Sequence, residues 1–222
     1  AFTNRSGSNL LAEFLKSTGK ISGLGEALNA DNVRNRAKNW NLNSFPDYFC
    51  EMSARHKLPF GVKASWDQLL MLLRYNIPAM YTGLHVIHIH RYDIVSQGIS
   101  LQIAWQTGKW TSLTPAHEVI MPSYDANTIT HHIAATQQSE ALFPLIFEAF
   151  SIDAYHVSYE DITSAPERTV RAAMEAIGYP VPEWRLVETR LQKQADAINH
   201  DFRLQYKELL RRRCLSGLNV TD

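Results

Sequence analysis

The sequence predicts an α/β fold, a three-layer sandwich with a central parallel sheet and helices on both faces, on three observations. Short apolar runs at Phe60–Lys63, Leu84–His90 and Ala154–Ser158 read as buried strands. Segments with apolar residues at helical spacing lie between them. Strands that alternate with helices pair in parallel through right-handed crossovers, which place helices over both faces. A chain of 222 residues, 45% of them apolar, can bury one sizeable core, so residues 1–222 are expected to form a single domain.

Taken in order, Ala1-Phe2-Thr3 reads as the tail of a buried strand. Strands of parallel sheets usually run to about five or six residues, so the rest of this one is expected upstream. Leu10, Leu11, Phe14 and Leu15 then recur at helical spacing, with Gly19 placed for a left-handed cap. Lys20 to Ser44 is polar enough to be mostly surface loop and short helix, and could serve as a lid. Trp66 to Leu73 and Ile94 to Trp105 read as helices, the second capped by Asp93. Ser164-Ala165-Pro166-Glu167 has capping-box spacing, followed by Val170, Ala173, Met174 and Ile177 on one face and Gly178 at the end.

The bulk properties exclude several functions. Lysine plus arginine and aspartate plus glutamate each total 22. No long-range field would therefore draw the protein to nucleic acid or an anionic membrane, and any anion site must be local. Cys50 and Cys214 are far apart and lack metal-site or disulfide-framework spacing, which fits two thiols in a reducing cytoplasm. No apolar run approaches a membrane span and no signal-peptide pattern opens the chain.

In open α/β sheets ligands bind beyond the carboxyl ends of strands, so the loops after Thr3, Lys63 and His90 are the places to seek chemistry. In the first, Arg5-Ser6-Gly7-Ser8-Asn9-Leu10 joins strand to helix. Gly7 lets backbone approach a ligand, Ser8 and Asn9 put free amides at a helix N-terminus, and Arg5 adds a charge, which together suit a phosphate or sulfate. A nucleotide-hydrolysing P-loop would need an earlier glycine and a lysine directly after the last one, and neither is present. A serine-rich helix cap that binds nothing is the alternative.

Arg5-Ser6-Gly7-Ser8-Asn9-Leu10-Leu11 resembles the R-S-G-S-T-L-L loop of sulfotransferases that grip the 5′-phosphosulfate of 3′-phosphoadenosine-5′-phosphosulfate (PAPS), above all the mycobacterial trehalose 2-sulfotransferase family. The likeness continues through Thr18-Gly19 to Glu26, although the residues flanking Glu26 depart from the family pattern. A second block, His88-Ile89-His90-Arg91-Tyr92-Asp93-Ile94-Val95-Ser96-Gln97-Gly98-Ile99-Ser100, is similar to the family's H-I-H-R-P-D-x-V-S-Q-A-x-S, with Tyr92 in place of proline. It runs on into Ala104, Gln106, Thr107, Gly108 and Trp110. Phe60-Gly61-Val62-Lys63 with Trp66 is similar to W-G-G-K-x-x-W, and Leu191 to Asp196 to L-x-R-Q-A-D, where Lys193 could reach a phosphate.

The resemblance implies a P-loop-like sandwich and a cytoplasmic, PAPS-dependent sulfotransferase acting on a carbohydrate or glycolipid hydroxyl, trehalose being the family's sugar. It implies that Arg5, Ser6, Gly7, Ser8, Asn9 and Leu10 bind the phosphosulfate, that Arg91 and Ser100 (or Ser96) bind the 3′-phosphate, and that Arg5 and Glu26 act in catalysis. No metal and no nucleic acid is expected, and a homodimer is allowed. Two rivals remain: a non-catalytic module of the same fold that binds a phosphorylated or sulfated ligand, and a nucleotide-dependent phosphotransferase.

Other features have plainer readings. His88 and His90 alternate on one strand face, but no third ligand stands at metal-site spacing. His131-His132 reads as surface helix and Glu160-Asp161 as a cap. Trp105, Trp110, Tyr124 and Phe143 to Phe150 read mainly as core, and Arg211-Arg212-Arg213 as charge that favours a helix C-terminus.

Overall fold

The strands expected near Phe60, Leu84 and Ala154 all form, and they pair in parallel. In the computed structural model, which describes residues 1–110, 120–189 and 197–218, β1 (Ser22–Gly25) lies beside β2 (Phe60–Val62) and β3 (Val86–His90) beside β4 (Ala154–Ser158). Phe2 forms an isolated parallel bridge to Ile89. Its amide donates to the Ala64 carbonyl at 3.1 Å, while the Ile89 amide donates to the Ala1 carbonyl at 3.0 Å. The single central sheet expected from sequence is therefore present as two short parallel pairs, with the Phe2 segment hydrogen-bonded next to each.

β1 falls where sequence suggested loop. Ser22-Gly23-Leu24-Gly25 has no β-branched residue to mark it. Gly23 (φ 79°) and Leu24 (φ 53°) are left-handed, and the register shifts between Gly23 and Gly25. A Cβ on Gly23 would lie 2.4 Å from the Gly61 carbonyl oxygen, so the close approach of β1 and β2 depends on this glycine.

The helices are α1 (Ser8–Ser17), α2 (Ala30–Asn39), α3 (Phe45–Ala54), α4 (Trp66–Arg74), α5 (Ile94–Thr107), α6 (Ala126–Ala149), α7 (Tyr159–Ser164), α8 (Pro166–Ala176) and α9 (Ala197–Leu218). The chain divides into two units, Ala1–Tyr92 with Ser139–Thr189, and Asp93–Gln138 with Arg190–Asp222.

In the first unit the pleat of β3 and β4 sorts side chains to two faces. Ile87, Ile89, Tyr155 and Val157 pack with Phe2, with Leu11, Phe14 and Leu15 of α1, and with Val170, Ala173 and Met174 of α8. On the other face Val86 and Ala154 join residues of α3 and α4 and Phe143, Ile146 and Phe147 of α6. The capping box expected before α8 does not form. Ser164 ends α7 instead, its hydroxyl donating to the Glu160 carbonyl at 2.7 Å, and Pro166 opens α8 unaided.

The second unit packs Ile99 of α5, Ile129 of α6, and Phe202 and Tyr206 of α9 together. A Cβ on Gly98 would meet Ile133 at 2.6 Å, so α5 and α6 approach closely there. Asp93 caps α5 as expected, accepting from the Ser96 amide at 3.0 Å. Trp105 departs from its core reading and is exposed, edge-on to Trp110. Among the described residues no helix is long and apolar enough to cross a membrane.

Candidate functional site

The loop between the Phe2 bridge and α1 has the shape the sequence suggested. Arg5 (φ 63°) and Gly7 (φ 91°) are both left-handed, and Gly7 directly precedes the first turn of α1. Successive turns of this kind point backbone amides inward. No side chain caps α1, so its N-terminal amides are left without the partner that a serine cap would supply. Gly7 is required twice over, because a Cβ there would also lie 2.5 Å from the Tyr159 ring.

Three buried polar atoms in this unit lack a hydrogen-bond partner among the described residues: the hydroxyl of Ser6, which is 0% exposed, Nε of Arg91, and Nε2 of His88. Leaving such groups unmatched costs roughly 1–3 kcal/mol each, a cost a bound anion would remove at Ser6 and Arg91. Arg91 follows β3 and lays its guanidinium 4.5 Å from the centre of the Tyr159 ring. Burial lowers the pKa of Arg5, and the positive charge of Arg91 lowers it further. The loop thus brings two like charges near one another, an arrangement that favours an anion.

Lys63 follows β2 and is only 7% exposed. Its ammonium donates to Asn9 Oδ1 at 2.5 Å and to Glu26 Oε1 at 2.7 Å, and lies 4.5 Å from the Phe2 ring centre. Glu26 accepts a further bond from the Asn29 amide at 3.0 Å. Burial pushes the Glu26 carboxyl up, but the Lys63 hydrogen bond and charge, helped by Asn29, outweigh it and hold the group below its usual value. Burial also lowers the Lys63 pKa, against the opposing pull of Glu26. Glu26 is therefore an ionised, half-exposed carboxylate tied through Lys63 to the first turn of α1. Sequence reasoning gave Lys63 only a passing resemblance, because nothing local shows that β2 ends beside Asn9.

Of the expected residues, Arg5 to Leu10, Glu26 and Arg91 all belong to the first unit. Ser100 lies half-buried on α5 in the second. Ser96 is engaged there, its hydroxyl contacting the Arg203 guanidinium, which also binds both Asp93 oxygens at 2.9 and 2.6 Å. Lys193 lies outside the described residues. Beside Phe2 a cavity of about 600 Å³ is lined mainly by hydrocarbon, including Leu11, Leu15, Phe60, Val86 and Ile89, which suits apolar contents better than a sugar's hydroxyls.

One grouping was only half visible in the sequence, which paired His88 with His90 and found no third ligand. His88 and His156 lie opposite each other in the β3–β4 register, and with His90 they form a cluster whose nearest ring nitrogens lie within 4.8 Å of one another. Sixty-eight residues separate the first and last of these, so spacing gave no signal.

Residues 72–209 match the family model described as Stf0 sulphotransferase, a stretch that takes in well over half of the chain and includes Arg91 and Ser100. No curated protein matches the chain.

Proposed function

The chain belongs to the Stf0 sulphotransferase family, and on that premise we propose that it transfers the sulfuryl group of PAPS to a hydroxyl of a carbohydrate or glycolipid. The observation that carries the reading is the cradle formed by the left-handed Arg5–Gly7 loop, the uncapped start of α1 and the unmatched Ser6 hydroxyl, with the Arg91 charge acting on Arg5. A family match that runs through both units supports one sulfotransferase domain over residues 1–222, built as a P-loop-like sandwich.

The donor supplies an activated sulfuryl group attached to a phosphate leaving group. Sulfuryl transfer passes in line between two oxygens with little covalent help, so the protein's part is positioning and charge. In this reading Arg5 and the Ser6 to Leu10 backbone hold the phosphosulfate and offset negative charge as it builds on the leaving oxygen. Arg91 holds the 3′-phosphate. Glu26 accepts the acceptor's hydroxyl proton as the new O–S bond forms, and Lys63 keeps that carboxylate ionised until then. These roles call on no metal.

Incubation with labelled PAPS and a panel of sugars and glycolipid headgroups tests the proposal. A labelled product, with release of the desulfated bisphosphate, is the expected result. Tight donor binding without release under any acceptor would instead make the chain a non-catalytic binder.

A further inference from the structure

The strand pair of the first unit holds a group that sulfuryl transfer does not use. His88 and His156 face each other across parallel β3 and β4, and His90 follows His88 by two residues, so all three imidazoles leave the same side of the pair. One nitrogen of each lies within 4.8 Å of the others. The Nδ1 atoms of His88 and His156 are 3.2 Å apart. That is close to the roughly 3.3 Å between two ligands of a tetrahedral ion with metal–nitrogen bonds of about 2.0–2.1 Å.

The surroundings suit ligation. His88 is 5% exposed and its ring lies 4.6 Å from that of Phe143 and 5.7 Å from that of Phe147. Its other nitrogen, Nε2, sits 3.0 Å from Glu140 Oε2, within reach although outside hydrogen-bond alignment. Glu140 is itself anchored by the Thr3 hydroxyl, which donates to Oε1 at 2.6 Å. A carboxylate at Nε2 favours the proton there, which leaves the Nδ1 lone pair facing His156 and His90. A single imidazole-to-imidazole hydrogen bond would account for His88 and His156, but it needs neither a third ring nor a carboxylate behind the first.

We propose that His88, His90 and His156 bind one divalent transition-metal ion of the zinc class, with Glu140 as the positioning residue behind His88. Three neutral nitrogens select zinc, cobalt, nickel or copper over magnesium and calcium, which prefer oxygen. His156 is exposed, so the fourth position opens to water or a small anion. The ion would staple β3 to β4 from one face, and by binding only the folded state it would raise the melting temperature.

The test uses the full chain without a histidine tag, freed of metal by a chelator and then titrated with Co²⁺ and with Zn²⁺. Calorimetry should show one ion per chain, Co²⁺ should develop the visible absorption of a four-coordinate site, and Zn²⁺ should raise the melting temperature. His156→Ala, at the exposed ligand, should abolish the Co²⁺ spectrum, and Glu140→Gln should weaken binding by about 10- to 100-fold. The double variant His131→Ala/His132→Ala, on α6, should change nothing, and Mg²⁺ and Ca²⁺ should not compete. Absence of stoichiometric binding in the wild type overturns the proposal. So does a Co²⁺ spectrum that survives His156→Ala or disappears in the His131/His132 variant. None of these readouts involves sulfuryl transfer, so the site stands or falls apart from the activity.

Discussion

The loop after the first strand segment and the turn after β3 looked alike in sequence, since each joins a strand to a helix through small polar residues. The structure separates them. At Arg5 to Asn9 the backbone is left-handed at two positions, and the Ser6 hydroxyl is buried without a partner among the described residues. At Asp93 to Ser96, within the second unit, the polar groups find protein partners: Asp93 accepts from the Ser96 amide and from Arg203, and Arg203 also donates to the Ser96 hydroxyl oxygen. Unmatched buried groups cost stability and persist where a ligand completes them, whereas matched groups hold the fold. Substitutions in the first region should therefore act on chemistry and donor binding, and those in the second on stability.

The largest effect is expected at Glu26. Glu26→Gln keeps the shape and the Asn29 contact but removes the proton acceptor, so turnover should fall by about 10² to 10⁴ while donor affinity changes little. Steady-state rates and calorimetry on one preparation check this, and turnover within about threefold of wild type excludes the role. The Lys63 contact also fixes a pH dependence. The folded-state pKa of Glu26 is depressed, so its contribution to stability is complete above the unfolded value and is lost as pH falls through the folded one. The ionised base persists over the same range, so the acid limb of the rate profile should lie below the ordinary glutamate value. In Lys63→Met that limb should move up.

Arg5→Ala comes next. Removing a charged contact to a buried anion typically costs about 2 to 5 kcal/mol of binding. The cost to the fold should be smaller than the cost to binding, because burial and the Arg91 charge both disfavour the Arg5 cation in the free protein. Thermal melts should show only a small loss of stability while donor affinity drops at least tenfold. A variant that melts lower and binds equally well would make the loop structural.

Gly7→Ala is a milder probe of the same cradle. The left-handed backbone costs a non-glycine residue about 1–2 kcal/mol, and the new methyl must displace the Tyr159 ring on which Arg91 lies. Donor affinity should fall about tenfold, with most of the preference for a 3′-phosphate lost through Arg91. Comparing PAPS with the same donor lacking that phosphate measures it, and an unchanged preference would detach Arg91 from the cradle.

Much of the first region was legible because its signals are local. A glycine at the strand-to-helix turn, hydroxyl residues after it and an arginine before it foretell the left-handed loop and the start of α1, and Asp93 foretells its own cap. What escaped notice depends on register between distant segments. β1 has no strand-like composition and exists because Gly23 lets two backbones approach. Lys63 meets Glu26 and Asn9 only once β2 is placed, and His156 meets His88 only through the β3–β4 alignment. The Ser164 capping box failed for a related reason, since a preceding short helix claimed the serine.

The smallest effect should come from the second region, at Arg203. Its guanidinium bridges Asp93 and Ser96, but it is half-exposed, and exposed ion pairs contribute at most about 1 kcal/mol. Asp93 would keep its cap on the Ser96 amide without it, so the start of α5 should survive. For a chain of this length a loss of about 1 kcal/mol lowers the melting temperature by roughly 2–4 °C, which bounds the effect of Arg203→Ala. Asp93→Ala should cost more, because it removes the cap as well, worth about 0.5–2 kcal/mol. Neither change should alter affinity for PAPS by more than about twofold, well under the tenfold that 1.4 kcal/mol of binding represents. If Arg203→Ala instead weakened donor binding while leaving the melt unchanged, the matched groups of this turn would be ligand groups after all. The contrast between the two loops would then rest on something other than unpaired buried atoms.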